Sequence, residues 1–104
     1  MVVSIVEGSV SQENQETLQL AYQEVVAAGL PPSILQTFLL RRADDRAMCR
    51  IVTIWKSLEA LHEARRASEP PAAIRVFRQA GVEPKAEIFE VVHMASQHDL
   101  WAAL

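Results

Sequence analysis

Three histidines, one cysteine and two tryptophans are the residues of this chain best equipped for chemistry. His62, His93 and His98 fall on three separate predicted elements with no HxH or HxxxH pair, so no metal site is expected. His93, on the last predicted strand, is the candidate general base; the alternative is a satisfied histidine near the end of an edge strand. Gln36 and Thr53 are the side chains that could orient a substrate oxygen, and they could equally hydrogen-bond to each other across two strands. Cys49 sits among apolar neighbours with nothing nearby in sequence to lower its pKa, which reads as a small buried hydrophobe rather than a nucleophile. Gly8, Gly29 and Gly81 are isolated, so no glycine-rich phosphate loop is present.

The stretch that must position these groups is 50–64, RIVTIWKSLEALHEA. A β-branched, apolar strand ends at Trp55 and passes through Lys56 into a helix that Ser57 can cap. Trp55 stands at that joint with a large ring and one N–H to satisfy. Before it, Val2 to Val10 reads as a central strand, and Ser11 opens a helix to about Ala28. Leu18, Ala21, Tyr22 and Val25 form that helix's apolar stripe, with Gln15, Gln19 and Gln23 outward. Gly29 and Pro31-Pro32 end the helix.

Ile34 to Arg42 and Met48 to Trp55 read as a hairpin turning at Asp44-Asp45. A two- or four-residue loop centred there gives one register: Leu40 opposite Cys49, Phe38 opposite Ile51, Gln36 opposite Thr53 and Ile34 opposite Trp55. Arg41, Arg42, Arg46 and Arg50 gather at the tip as a solvated cluster paired with the aspartates. The helix from Leu58 runs to about Ser68 with Leu61 inward and His62 at its margin, and a second helix follows Pro70-Pro71 to Ala80. Lys85 to Ala95 is the last strand; Ser96 to Asp99 resembles a capping box before Leu100, Trp101 and Leu104.

The order β-α-β-β-α-β predicts an α+β, ferredoxin-like fold: a four-stranded antiparallel sheet with its helices on one face. Residues 1–104 are read as a single domain, with 96–104 as a C-terminal arm. The helix-free face is expected to carry Ile34, Phe38, Leu40, Ile51 and Trp55, and with 50% of residues hydrophobic a second copy of the chain is its economical cover. The expected partner is thus an identical subunit, with the arm laid across it. A net charge of -3 argues against a nucleic-acid footprint or a polybasic membrane contact. No apolar run approaches the ~20 residues of a membrane span. The VVSIV run lacks a basic flank, and the single cysteine fits a reducing compartment, so a cytoplasmic protein is expected.

From Val2 to about Ala95 the chain resembles the antibiotic-biosynthesis-monooxygenase-like proteins of the dimeric α/β-barrel superfamily. The residues that carry the resemblance are Ile54-Trp55-Lys56-Ser57 and the following Glu59-Ala60-Leu61, which match a strand-end pattern of Trp, Glu or Lys, Ser, two residues and Ala. The resemblance implies face-to-face sheets in a homodimer and a cavity between each sheet and its own helices. It also implies that Trp55 lines the cavity. The asparagine that some cofactor-free oxygenases of the family carry on that strand falls on Ile51, and their helical aromatic hydroxyl on Leu61. Histidines of the quinol-oxidising members fall on Ala64 and Glu69, while haem-degrading members would need other side chains at Ala64 and Gly8 and a proximal histidine that nothing here matches.

The expectation is therefore an apolar or aromatic small molecule bound beside Trp55, with Gln36, Thr53, Cys49, Ile51 and Leu61 around it and no cofactor. If the site is catalytic, the implied reaction is cofactor-free oxygenation, in which the substrate's own electrons reduce oxygen and His93 takes the proton. The rival expectation is a non-catalytic binding or structural dimer that kept the fold, and the apolar Ile51 and Leu61 lean toward it.

Overall fold

A computed structural model describes residues 1–97. Four strands, β1 (Val2–Ser9), β2 (Ile34–Arg41), β3 (Met48–Trp55) and β4 (Lys85–Glu90), form one antiparallel sheet in the order β2-β3-β1-β4. Three helices, α1 (Gln15–Ala27), α2 (Leu58–Ala67) and α3 (Ala72–Gln79), accompany it. The fold is the expected ferredoxin-like α+β arrangement. No helix among the described residues is long and apolar enough to cross a membrane.

β1 sits between β3 and β4, and its alternation follows from that position. Val2, Ser4 and Val6 are buried toward the helices, while Val3 and Ile5 are half-buried on the other face. Phe77, Leu18 and Val10 are fully enclosed in the core between sheet and helices. Full burial of one such large side chain contributes about 1.5–3 kcal/mol. α3 closes on the sheet at Gly8, where an added Cβ would meet Val82 Cγ1 at 2.6 Å and the Phe77 ring at 3.3 Å.

The helix ends follow the local chemistry, with one departure. Ser57 caps α2 by accepting from the Ala60 N–H at 3.1 Å. Gly29 and Gly81 take positive φ values of 103° and 77° just past α1 and α3, where a side chain would be strained. Ser11 makes no side-chain cap, and its segment starts as a 3-10 turn, with the α-helix beginning at Gln15. Gln15 also turns inward instead of facing solvent. Its amide donates to the carbonyls of Val10 at 2.9 Å and Arg46 at 3.1 Å, tying helix, strand and hairpin together.

The hairpin register differs from the expected one by a single residue. Asp45 accepts twice inside the loop, through its carbonyl from the Met48 N–H at 3.0 Å and through its carboxylate from the Ala47 N–H at 3.2 Å. The Arg42 N–H donates to the Met48 carbonyl at 2.9 Å, so the loop spans positions 43–47, an odd number. An odd loop shifts the pairing by one relative to an even one. Arg41 therefore opposes Cys49, Leu39 opposes Ile51, Thr37 opposes Thr53 and Gln36 opposes Ile54. A bulge at Leu35 restores the Ile34–Trp55 pair.

That shift reassigns the two faces. Ile51, Thr53 and Trp55 lie on the helix side of the sheet, and the helix-free face instead carries Val3, Ile5, Phe38, Leu40, Val52, Ile54 and Phe89. Phe38, Leu40 and Phe89 are 38%, 46% and 48% exposed there. At one end of this face Arg50 pairs with Glu7 at 2.6 Å, not with a hairpin aspartate; Arg42 does take Asp44, at 2.7 Å.

β4 is shorter than expected. Its ladder with β1 ends at Val2–Glu90, with the Val91 N–H still donating to the Met1 carbonyl at 3.1 Å. His93 thus stands beyond the strand, exposed. His98 and the arm residues Leu100, Trp101 and Leu104 lie outside the described residues.

Candidate functional site

A cavity of about 450 Å³ lies between the helix-facing side of the sheet and the three helices. This size falls within the ~300–1,000 Å³ range of small-molecule sites. Its floor is built from all three strands of the β2-β3-β1 segment: Thr37, Thr53 and Ser4 stand in one row because the register aligns Thr37 with Thr53 and Thr53 with Ser4. Val6, Ile34 and Ile51 surround that row with apolar surface. Ala21, Tyr22 and Val25 of α1 form one wall, and Ala64 and Arg65 of α2, Ser68 just past it, and Ala72 and Arg75 of α3 form the other.

Every hydroxyl of the polar row takes part in a hydrogen bond. The Tyr22 hydroxyl donates to Thr37 Oγ1 at 3.3 Å, and the Thr37 and Thr53 hydroxyls share a hydrogen bond at 3.2 Å. Three hydroxyl protons serve two bonds, so one threonine proton is left to donate elsewhere. The Trp55 indole N–H donates to Ser4 Oγ at 3.0 Å, which leaves the Ser4 proton similarly unspent. Ser4 and Thr53 are 8% and 6% exposed, and no buried side-chain polar atom among the described residues lacks a partner. The floor therefore offers two hydroxyl donors inside an apolar chamber. An oxygen acceptor on a ligand, a carbonyl or a phenolic oxygen, is the group they suit.

The expected site residues separate into two sets. Trp55, Thr53 and Ile51 line the cavity. Gln36 does not: the one-residue shift places it opposite Ile54 on the other face of the sheet, and Thr37 holds the position facing Thr53. Cys49 is on the cavity's side of the sheet but beyond its wall, buried with its thiol donating to Gln15 Oε1 at 3.5 Å. Leu61 is packed at 1% exposure beside α2's apolar side and does not reach the cavity surface. His93 lies beyond the early end of β4, exposed and outside the cavity lining of this chain. The same lining contains no histidine.

Tyr22, Thr37 and Ser4 are the cavity residues that sequence reasoning missed. Tyr22 read as one member of an apolar stripe. Ser4, the polar residue inside the VVSIV run, was the available signal: a buried strand carries a hydroxyl where a partner awaits it. No group of three or more potential metal ligands occurs among the described residues.

No protein-family model matches the chain, and no curated protein matches it by sequence. Solved structures do match it in fold. An assigned antibiotic biosynthesis monooxygenase from Deinococcus radiodurans superposes with a TM-score of 0.72 at 22% identity, covering 94% of this chain and 99% of that one. SnoaB, a cofactor-independent oxygenase from Streptomyces nogalater, superposes at 0.66 with 16% identity, over 89% of this chain and 94% of its own. A conserved protein from Methanosarcina mazei does so at 0.68 with 13% identity, over 86% and 91%. The chain has the fold of the antibiotic biosynthesis monooxygenases.

Proposed function

We propose that the cavity binds an aromatic small molecule against the Trp55 ring and that the reaction it suits is cofactor-independent oxygenation of an electron-rich phenol or quinol. The observation that carries this reading is the largely apolar cavity floored by two unspent hydroxyl donors. Such a chamber removes water from the substrate, fixes its orientation and stabilises a phenolic oxygen as charge builds on it. The substrate's electrons reduce oxygen; the protein supplies the setting. SnoaB, of the same fold, is a cofactor-independent oxygenase.

A non-catalytic binding protein is the second reading, favoured by one observation. Glu24, at the exposed rim, is the sole carboxylate in the cavity lining, so the substrate's proton has no acceptor on the floor. Oxygen uptake by purified protein with a panel of hydroquinones and naphthols separates the two. Uptake above the buffer rate, lost in Thr37→Val/Thr53→Val, supports oxygenation; tight binding with no uptake across the panel leaves the binding protein.

The protein acts, on the same reading, as a homodimer. The apolar helix-free face, centred on Val52 and Ile54, is the surface that a second copy covers.

A further inference from the structure

Arg65 and Arg75 line the cavity from two different helices, with Glu24 of α1 as the remaining charged group in the lining. None of the three forms an ion pair among the described residues, unlike Arg42, Arg50 and Arg78, which all do. The lining thus holds two uncommitted guanidiniums, from its helical side, against one carboxylate, a net positive charge, in a protein whose overall charge is -3. Positive charge concentrated on one side of a low-dielectric chamber attracts and orients an anion. A guanidinium also suits a carboxylate or sulfonate through paired N–H donors.

The strand residues of the lining carry no charge. The floor presents only the Ser4, Thr37 and Thr53 hydroxyls, which match a neutral oxygen acceptor. The geometry points to a ligand with two unlike ends: an aromatic body bearing an anionic group, carboxylate or equivalent, at the arginines and a carbonyl or phenolic oxygen at the hydroxyl floor. This deepens the small-molecule reading above and rests on the cavity being the binding site. Arg65 and Arg75 are then specificity-determining residues that select aromatic acids over uncharged aromatics of equal size.

The probes are anilinonaphthalene sulfonate and its uncharged parent N-phenylnaphthylamine, which share one aromatic body and differ in the anion. Fluorescence titration of the full chain is expected to show the sulfonate binding about tenfold or more tighter than the parent, the scale of one charge-assisted hydrogen bond. Arg65→Gln/Arg75→Gln should abolish that preference, so that the two probes bind the variant alike. Ala64→Phe, which narrows the chamber, should weaken both probes. Equal binding of the two probes to the wild type, or a preference that survives the double substitution, overturns the arginine inference while the cavity stands. Binding of neither probe, or binding of both untouched by Ala64→Phe, overturns the cavity reading itself and this inference with it.

Discussion

The indole N–H of Trp55 donates to the hydroxyl of Ser4 across two neighbouring strands, at 3.0 Å. The ring's polar atom is therefore satisfied by the protein, and Trp55 offers a bound ligand its apolar ring surface. A bound aromatic would stack on it or meet it edge-on, worth about 0.5–1.5 kcal/mol beyond the buried area.

Trp55→Ala is expected to cost less than the ~3–5 kcal/mol typical of a fully packed ring, because one side of the indole borders open space. Trp55→Phe should keep most of the stability and most of the ligand affinity. Chemical denaturation of both variants checks this. A loss at the top of that range with unchanged ligand binding would make Trp55 a core residue and nothing more.

Thr53→Val removes the middle of the hydroxyl row and should destabilise by about 0.5–1.5 kcal/mol, since half-buried Thr37 loses one partner and keeps its bond from Tyr22. Replacing Thr37 and Thr53 together by valine should cost less than the sum of the single changes. A double-mutant cycle by thermal melting measures the difference; strict additivity would show that the two hydroxyls are uncoupled.

Gly8→Ala should destabilise by roughly 1–3 kcal/mol, because the new methyl enters the space of Val82 and Phe77. Val82→Ala is expected to relieve part of that cost in the double variant. A neutral Gly8→Ala by denaturant titration would mean that α3 lifts from the sheet without penalty.

Arg78 and Glu83 clamp the end of α3 to the approach of β4 through two hydrogen bonds, at 2.9 and 3.0 Å. The hydrogen bond from Arg78 holds the Glu83 carboxyl below its usual range and raises the guanidinium further. A carboxylate whose folded pKa is depressed contributes stability above its unfolded pKa and loses it as pH falls through the folded value. The difference in melting temperature between wild type and Glu83→Gln should accordingly be present at neutral pH and vanish in acid, below the usual carboxylate range. Both groups are fully exposed, so the effect is small and salt-sensitive. A difference constant with pH would assign it to packing.

Sedimentation equilibrium at low micromolar concentration should give twice the 11.6 kDa chain mass, and Val52→Asp, in the middle of the helix-free face, should give monomer. An interface of this kind typically buries ~2,000 Å² or more. A soluble wild-type monomer would leave the apolar face without its proposed cover.

The element order was legible because its signals are local: β-branched runs, Ser57 as a cap, glycines at helix ends, prolines between helices. The candidate site was legible in part. Trp55, Thr53 and Ile51 alternate within β3, so all three share a face under any register. Gln36 was misplaced because the face of β2 hangs on whether the hairpin loop has an even or odd count, and two hydrogen bonds at Asp45 decide that. Tyr22 and Ser4 were hidden for a different reason. Their hydroxyls matter only once Thr37 and Trp55 come within reach, and no spacing along the chain reports that distance.

Because Leu35 is an extra residue, β2 changes its alternation partway along. A relative without the bulge has no residue to set against Leu35, so a gapless match anchored at Ile34 slips by one beyond it and sets Phe38 against the cavity side. Anchored instead at Thr37, the same strand places Phe38 outside and Leu39 within. Inheritance of site residues along this strand must therefore be counted from its hairpin end. Deleting Leu35 is the corresponding single-codon experiment: it would remove the bulge and leave Ile34 opposite Trp55, Gln36 opposite Ile54 and Thr37 opposite Thr53 in one regular ladder.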